Sequence, residues 1–419
     1  MKIKSLVAMM SLAGVASSAA WAEGVTTQQT PETTNNSFYQ STIKELNQVT
    51  DEGDKTDLGL DWTKYLSVSG AFYTDAKAGD QTYDTQGENT NRLSVTNAHV
   101  TIQATPNTWS QFTLVTNYSD ASNSYGANPD DAITSVGISN NADSSDNSVY
   151  IDQAYATFGD ESRYPVFAQV GRQYLPFGQY DVNPVVRSLS QVLTETNATD
   201  AQIGFVTPEG LYGSSYVFQN PVSSDGDADE TKPYNGGAVL GFKKSNEEMV
   251  FDTGVGYMNN MSGVDAIANY IDQDLESTGY GSGVAALAPY ASFQTGPFGV
   301  NVDYVTALSY FDKEVLPYQT TSDNGAKPSA VDSQVSYAFN VKDMDQVLFI
   351  GYQVSNQASA LNLPKKRYDV GYNIYPLKNV LVGLEVTRDT NYSASDGNIG
   401  NTADGEEYYT YNARVGVQF

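Results

Sequence analysis

Few residues of this chain could carry out covalent or metal chemistry. The sequence contains no cysteine and a single histidine, His99, which excludes thiolate nucleophiles and the usual multi-histidine metal sites. His99 alternates with Thr101 and Gln103, as expected of polar residues on one face of a strand. No Gly-x-Ser-x-Gly nucleophile elbow occurs in the sequence. The sequence therefore predicts no catalytic residue, no metal site and no cofactor.

Arg172 and Arg187 are the first candidates for binding chemistry. They lie around the start of a segment, 175–199, that opens with proline and glycine and is unusually apolar for a loop. Such a loop is expected to fold inward, to narrow a channel and to pack against the strands that carry it, where the two guanidinium groups would contact anionic groups of a solute. Alternatively, Arg172 pairs with a carboxylate of a neighbouring strand and Arg187 lies at the level of lipid headgroups. Further candidate contacts in and beside this segment are Tyr174, Phe177 and Asp181.

A second candidate is the basic cluster formed by Lys365, Lys366 and Arg367. It would receive an anionic ligand at the rim of the fold, or it would simply pair with neighbouring acidic loops. Both hypotheses depend on the strands that position these side chains.

The charge balance limits the possible partners. The chain has 419 residues, 49 acidic against 22 basic, and a formal net charge of -27. Because such a surface repels phosphates, nucleic acid is excluded as a partner. Only the N-terminus carries a long apolar run, so a helical membrane bundle is excluded as well. A soluble acidic protein and a β-barrel remain. A barrel strand alternates apolar and polar residues, so it does not raise the overall fraction of hydrophobic residues.

Residues 1–22 have the features of a secretory signal peptide. Lys2 and Lys4 precede an apolar stretch, and Ala20-Trp21-Ala22 forms a small-x-small cleavage site. The apolar stretch is too short and too rich in alanine and serine for a membrane anchor. We therefore expect export of the chain, with residues 23–65 as a polar periplasmic or lumenal segment.

Sixteen segments of strand length alternate between apolar and polar residues from Leu66 onward. Aspartate and glutamate occur in the middle of several segments, for example Asp303 and Glu385. Such residues require that one face of the strand contacts water. The segments are 66–74, 92–104, 109–118, 149–158, 165–174, 200–207, 212–219, 235–244, 249–258, 285–294, 298–308, 331–340, 346–355, 366–375, 379–389 and 407–419.

The connections between these segments alternate strictly between short and long. Outer-membrane barrels show this asymmetry, with tight periplasmic turns on one rim and long external loops on the other. The last segment alternates cleanly and ends in Phe419, which resembles the signal read by the outer-membrane assembly machinery of Gram-negative bacteria. The sequence thus predicts an all-β fold, an antiparallel transmembrane barrel of about sixteen strands over 66–419. Its acidic outer loops would attract divalent ions that bridge lipopolysaccharide in the surrounding outer-membrane lipid.

Residues 151–158 and 170–181, which read IDQAYATF and VGRQYLPFGQYD, resemble the LbtU family of siderophore porins. Residues 193–196 and 201–205 are similar as well. Members of that family are predicted sixteen-stranded outer-membrane barrels that import ferric siderophores, such as legiobactin, without the plug of energised receptors. The resemblance implies a channel whose partner is a ferric siderophore or another small solute. Because comparable turns occur in phosphate and sugar porins, a general or sugar- or anion-selective porin is the alternative.

Two hypotheses from other classes stay open at this point. An outer-membrane phospholipase places histidine and serine two positions apart on one strand, and here Thr101 follows His99 at that spacing. The second hypothesis is a surface protein whose loops bind host or phage. Neither hypothesis has a motif beyond these features.

Overall fold

A computed structural model of the chain describes residues 65–79, 91–119, 148–160, 163–179, 183–224, 233–246, 249–274, 280–318, 324–342, 344–397 and 405–419. The predicted signal peptide at 1–22 lies outside these residues, as does the polar segment 23–65 except for Tyr65. The barrel predicted for 66–419 contains every strand described below.

Sixteen strands make up most of the structure, and each predicted segment overlaps the strand of the same rank. The strands are β1 (Leu66–Gly79), β2 (Arg92–Asn107), β3 (Ser110–Ser119), β4 (Ser148–Phe158), β5 (Val166–Tyr174), β6 (Asn197–Val206), β7 (Leu211–Gln219), β8 (Tyr234–Ser245), β9 (Met249–Met258), β10 (Ala286–Thr295), β11 (Phe298–Ala307), β12 (Ser329–Val341), β13 (Met344–Asn356), β14 (Lys366–Leu377), β15 (Val380–Thr390) and β16 (Glu407–Gln418). The helices are α1 (Leu189–Val192), α2 (Asp265–Asp274) and the 3-10 turns Met261–Gly263, Ser359–Leu361 and Ala394–Asp396.

The strands form one closed barrel in which every strand pairs antiparallel with its sequence neighbours. β1 closes the barrel on β16, with Ala71 opposite Gln418. Closure leaves no unpaired sheet edge. The predicted all-β, sixteen-stranded antiparallel barrel is therefore confirmed.

The two faces of the barrel wall have the polarity of a membrane protein. On β14, Tyr368 and Val370 are 43% and 49% exposed, whereas the alternate residues Asp369 and Asn373 are 1% and 3% exposed. Large apolar side chains are exposed in this way on all sides of the barrel, while carboxylates and amides point inward. A soluble protein would reverse the two faces, so the outward face suits lipid and the inward face suits polar groups.

The two rims differ as the sequence predicts. Short turns join the strands at one rim, such as the two-residue turn between β10 and β11, where Gly296 adopts a positive φ of 54°. The long connections join them at the other. We call these the short-turn rim and the long-loop rim.

None of the helices in the described part of the chain is both long and apolar enough to cross a membrane.

The end of the chain seals the barrel. The backbone of Phe419 pairs with that of Gly70 through two hydrogen bonds of 2.9 and 3.0 Å. A Cβ at Gly70 would lie 2.6 Å from the Phe419 ring, so only glycine fits at this seam. The proposed role of Phe419 in recognition by the assembly machinery stays a prediction.

Candidate functional site

A hydrophobic cluster fills the long-loop end of the barrel. The described parts of segments 175–199, 259–284 and 309–318 fold inward and bury apolar side chains against one another and against small residues of the wall. We call this cluster the mouth core. Its loop members include Leu175, Phe177, Leu189, Val192, Leu193, Met261, Val264, Ile267, Ile271, Phe311, Val315 and Leu316, and its wall members include Ala286, Ala288, Ala307 and Ala330.

The sequence predicted inward folding only for 175–199. The described parts of the long connections 259–284 and 309–330 also bring apolar side chains into the mouth core. Met261, Val264, Ile267 and Ile271 recur at helical spacing, which is the signal that would have revealed α2 and its buried stripe. Because each fully buried large apolar side chain contributes roughly 1.5–3 kcal/mol, the mouth core stabilises these segments in the barrel.

Residues 183–189 of this segment lie in the lumen and are bonded to the wall formed by β12–β14. The side-chain amide of Asn183 donates to Gln334 on β12 at 2.6 Å, and the backbone N–H of Leu189 donates to Gln353 on β13 at 2.9 Å. Asn373 on β14 donates to the Asn183 carbonyl at 2.9 Å. These bonds fix the path of the segment, and we call its described residues 175–179 and 183–196 the internal loop.

Two polar side chains, on β15 and β16, hold the same loop. Glu385 is 2% exposed and accepts the backbone N–H groups of Val185 and Val186, the second at 3.3 Å. Arg414 makes two bonds to Asp75 of β1, at 2.8 and 2.7 Å, and donates to the Val185 carbonyl at 3.3 Å. Glu385 thus pairs two backbone N–H groups that would otherwise lack a partner, which makes it an anchor of the internal loop.

The predicted basic cluster is divided between three environments. Arg367 is buried on the lumenal face, where it makes two 2.9 Å bonds to Asp389 and donates to the Arg187 carbonyl at 2.9 Å. Lys365 pairs with Asp396 at 2.7 Å and lowers the pKa of that carboxyl. Lys366 alternates with Arg367 and so lies on the outward face. Two of these residues thus pair with neighbouring acids, which was the alternative expectation. Binding of an anionic ligand by the three together stays a prediction.

Arg172, Tyr174 and Arg187 meet in a second cluster near the long-loop rim. Arg187 pairs with Glu195 at 3.0 Å, so it lies on the internal loop and not at the lipid headgroups. Arg172 is in electrostatic range of Asp152, a carboxylate of the neighbouring strand β4, and the Tyr174 hydroxyl is 3.5 Å from the same carboxylate. The structure therefore gives these residues acidic partners within the protein.

The remaining candidates do not join that cluster. Phe177 is fully buried in the mouth core, and its carbonyl approaches β9 so closely that a Cβ at Gly256 would lie 2.2 Å away. Asp181 lies outside the described residues. His99 is a buried lumenal residue whose Nδ1 lies 2.6 Å from Asn97 Oδ1.

Asp265 connects the internal loop to α2. Its carboxylate accepts the backbone N–H of Asn197 at 3.0 Å, and its own N–H donates to the Glu195 carbonyl at 3.0 Å. Burial, and then the nearby Glu195 carboxylate, raise the pKa of Asp265 well above its usual range. This contact between the internal loop and α2, which we call the junction, therefore favours the protonated form of the Asp265 carboxyl.

The raised pKa of Asp265 predicts a pH-dependent junction. The folded-state pKa exceeds the unfolded one, so the stabilising contribution is complete at acidic pH and is lost as pH rises through the folded pKa. We expect hydrogen exchange of the Asn197 amide, corrected for intrinsic rates, to show more protection at acidic than at neutral pH. Asp265→Asn should abolish this difference, whereas Asp396→Asn, at a carboxyl with a lowered pKa, should preserve it. Equal pH dependence in the wild type and Asp265→Asn would contradict the prediction.

Comparisons with known proteins agree with this architecture. No protein-family model matches the chain. OprB of Pseudomonas putida has a TM-score of 0.56 and 12% identity, and the match covers 88% of this chain and 96% of that one. An anion-selective porin from Comamonas acidovorans has a TM-score of 0.53 and 9% identity, with coverage of 84% of this chain and 99% of that one. The outer-membrane channel DcaP of Acinetobacter baumannii has a TM-score of 0.52 and 14% identity, with coverage of 84% of this chain and 97% of that one. The fold is that of a porin-like outer-membrane barrel of Gram-negative bacteria.

Sequence relatives of this porin-like barrel come from Coxiella and Legionella. A UPF0422 protein of Coxiella burnetii is 26% identical over 251 residues, which cover 58% of this chain and 52% of the relative. A UPF0422 protein of Legionella pneumophila is 21% identical over 300 residues, 64% and 53% of the two chains. The chain spans about half the length of the curated relatives it matches.

Proposed function

We propose that the protein is a substrate-selective outer-membrane channel that imports a ferric siderophore. The observation that carries the proposal is the mouth core, because an internal loop and α2 occupy the end of the lumen through which an external solute would enter. A wide, open pore for general diffusion would leave this end clear. Selectivity then arises from the groups that the solute passes below the mouth core.

The lumenal wall opposite the anchored loop is rich in amides and hydroxyls. Residues 183–189 are bonded to β12–β16, so a solute would pass along β2–β6. Oxygen-rich ligands, including the chelating groups of a siderophore, accept hydrogen bonds from such amides. The lumenal polar residues on β2–β6 include Thr101, Gln103, Gln111, Thr113, Gln153, Thr157, Gln169 and Gln202.

The pairing of the lumenal cations weighs against a phosphate- or anion-selective pore. Arg367 is bonded to Asp389 and Arg414 to Asp75, while Lys243 lies 3.7 Å from Asp252. A cation that is already paired attracts a passing anion weakly. The similarity of residues 151–205 to siderophore porins supports the siderophore, and the amides and hydroxyls on β2–β6 favour a sugar as the second candidate.

Planar-bilayer recording with the purified protein separates these substrates. We expect ferric siderophore to interrupt the single-channel current in a concentration-dependent manner, while inorganic phosphate leaves it unchanged. Gln169→Leu on the proposed path should weaken the block, since Gln169 presents its amide beside Thr157 at 3.0 Å. Gln219→Leu, at the end of β7 and outside that path, is the matched control.

Two outcomes would change the assignment. Block by neutral oligosaccharides but not by ferric siderophore would make the protein a sugar channel. A steady, large conductance indifferent to all three solutes would contradict substrate selectivity altogether.

A further inference from the structure

Asp200 is an acid on the lumenal wall along which the solute is proposed to pass. Its strand, β6, alternates strictly, so that Ile203 is 66% exposed on the outward face while Asp200 is 4% exposed on the lumenal face. Ala198, the next lumenal residue towards the long-loop rim, belongs to the mouth core. Asp200 is therefore the first polar lumenal residue that a solute meets on β6 below the mouth core.

Only one oxygen of the Asp200 carboxylate has a partner within the described part of the chain. Oδ1 accepts the side-chain amide of Gln173 on β5 at 2.9 Å, whereas Oδ2 is buried and accepts no hydrogen bond. No lysine or arginine that the structure describes pairs with this carboxylate. The lumenal acids Asp75, Asp252 and Asp389, by contrast, each form an ion pair with a basic side chain. Because a buried carboxylate oxygen without a partner costs free energy, this position favours a donor that the solute brings.

Two aromatic side chains of β7 lie beside this carboxylate. Phe218 stands directly opposite Asp200 in the strand register, and Tyr216, the next lumenal residue of β7, interacts with Asp200 electrostatically. The Tyr216 hydroxyl is already bonded to the Tyr257 carbonyl at 3.2 Å. On the other side, Gly171 faces Asp200 from β5 and contributes no side chain. The strand neighbours of Asp200 are thus aromatic or bare, and they leave Oδ2 to an external donor.

An organic ammonium group fits this arrangement better than other cations do. A guanidinium group prefers both oxygens of a carboxylate, whereas an ammonium group acts as a point charge that one oxygen can receive, and Gln173 already uses the other oxygen. A divalent metal ion needs several oxygen ligands, and the described residues contain no group of three or more acidic or histidine side chains that could hold one. Aromatic neighbours further stabilise an organic cation.

We propose that Asp200 is a specificity-determining residue that selects ferric siderophores carrying a free ammonium group. This inference rests on the siderophore function proposed above and names the charge class of its substrate. Three hydroxamate groups neutralise iron(III), so a tris-hydroxamate complex with a pendant ammonium group carries a single positive charge. The formal net charge of -27 attracts such a complex to the chain and repels the anionic ferric complexes of carboxylate siderophores.

Planar-bilayer recording with two matched iron complexes tests the proposal. One is the ferric complex of a linear tris-hydroxamate that ends in a primary amine, and the other is its neutral N-acetylated form. We expect the ammonium form to block the current at a concentration at least about tenfold lower, which is the ratio that one hydrogen bond to a charged group gives. Asp200→Asn keeps an oxygen for Gln173 but removes the charge, so the two complexes should block this variant alike. Asp200→Glu keeps the charge and should preserve the preference.

Asp345→Asn is the matched control for these variants. Asp345 is a buried lumenal acid at the short-turn end of β13, where Asn340 donates to it at 2.8 Å. It lies outside β2–β6, so its variant should keep the wild-type preference. Equal block of the wild type by both complexes, or loss of the preference in Asp345→Asn as well, would overturn the role of Asp200 while leaving the siderophore function in place.

An iron-free probe separates that result from failure of the siderophore function. We expect pentylammonium to block the wild type more strongly than pentanol does, and we expect this difference to disappear in Asp200→Asn. Block by pentylammonium alone, with neither ferric complex active, would refute siderophore import and retain Asp200 as an ammonium site. Absence of block by both ferric complexes and by pentylammonium would overturn both proposals.

Discussion

Replacement of Glu385 by alanine is expected to release the internal loop and convert a restricted channel into one of larger, fluctuating conductance. Glu385 accepts the N–H groups of Val185 and Val186 from a buried position, and leaving such groups without a partner costs about 1–3 kcal/mol. A cost of this size raises the population of the released loop roughly 10- to 100-fold. Single-channel recording measures the change as longer and more frequent high-conductance states.

Two control variants separate loop release from a general effect of charge. Both N–H groups donate to the same oxygen of Glu385, and the amide oxygen of Glu385→Gln can accept both, so this variant should give a channel close to the wild type. Glu407→Ala removes an exposed acid on the outward face and should leave conductance unchanged. Wild-type conductance in Glu385→Ala would show that the loop is held by its other bonds.

Replacement of Phe177 by alanine is expected to loosen the mouth core while leaving the barrel intact. Phe177 is fully buried among the apolar residues of the internal loop and α2, and truncation of such a side chain costs about 3–5 kcal/mol through lost contacts and the cavity that remains. The strand hydrogen bonds are not involved, so the melting temperature of the barrel should change little. Hydrogen exchange of α2 should accelerate by two or more orders of magnitude, as that cost implies.

Phe112→Ala provides the matched comparison for this experiment. Phe112 is 48% exposed on the outward face of β3, so its loss removes lipid contacts and leaves the mouth core complete. Protection of α2 should then equal that of the wild type. Undiminished protection in Phe177→Ala would contradict a packed mouth core.

The two substitutions also distinguish the anchors of the loop. Glu385 acts on the segment around Val185, whereas Phe177 acts where the loop leaves β5 and meets Gly256. Because the sites are separate, their effects on the open population should combine additively in the double variant. Strong non-additivity would indicate that the loop moves as one cooperative unit.

The strands of this protein could be predicted from the sequence because their signal is local. Each strand alternates over its own residues, as Tyr368, Asp369 and Val370 show on β14, and lipid outside with polar groups inside makes that alternation unusually strict. The short turns and the even number of strands followed from the same pattern. The inward course of 175–199 was also predictable, because its proline, glycine and apolar residues are unlike those of a solvated loop.

The identity of the partners within the lumen could not be predicted in this way. Glu385 meets Val185 across 200 residues of chain and Arg414 meets Asp75 across 339, and neither pair has a local pattern. The sequence identified Arg367 as part of a basic cluster but contained no sign that Asp389, at the facing register position, would neutralise it. The apolar spacing around α2 was missed at the sequence level, and it would have indicated an amphipathic helix without indicating the surface that buries it.

The sequence by itself therefore determined a barrel, its number of strands and the difference between its two rims. These features follow from the alternation of residues and the composition of turns, which are signals carried by a few neighbouring residues. Only the tertiary structure decided that three loops share one core inside the mouth, and which carboxylates and arginines hold the internal loop. Those contacts form only once β1 pairs with β16 and closure brings distant strands to face each other across the lumen.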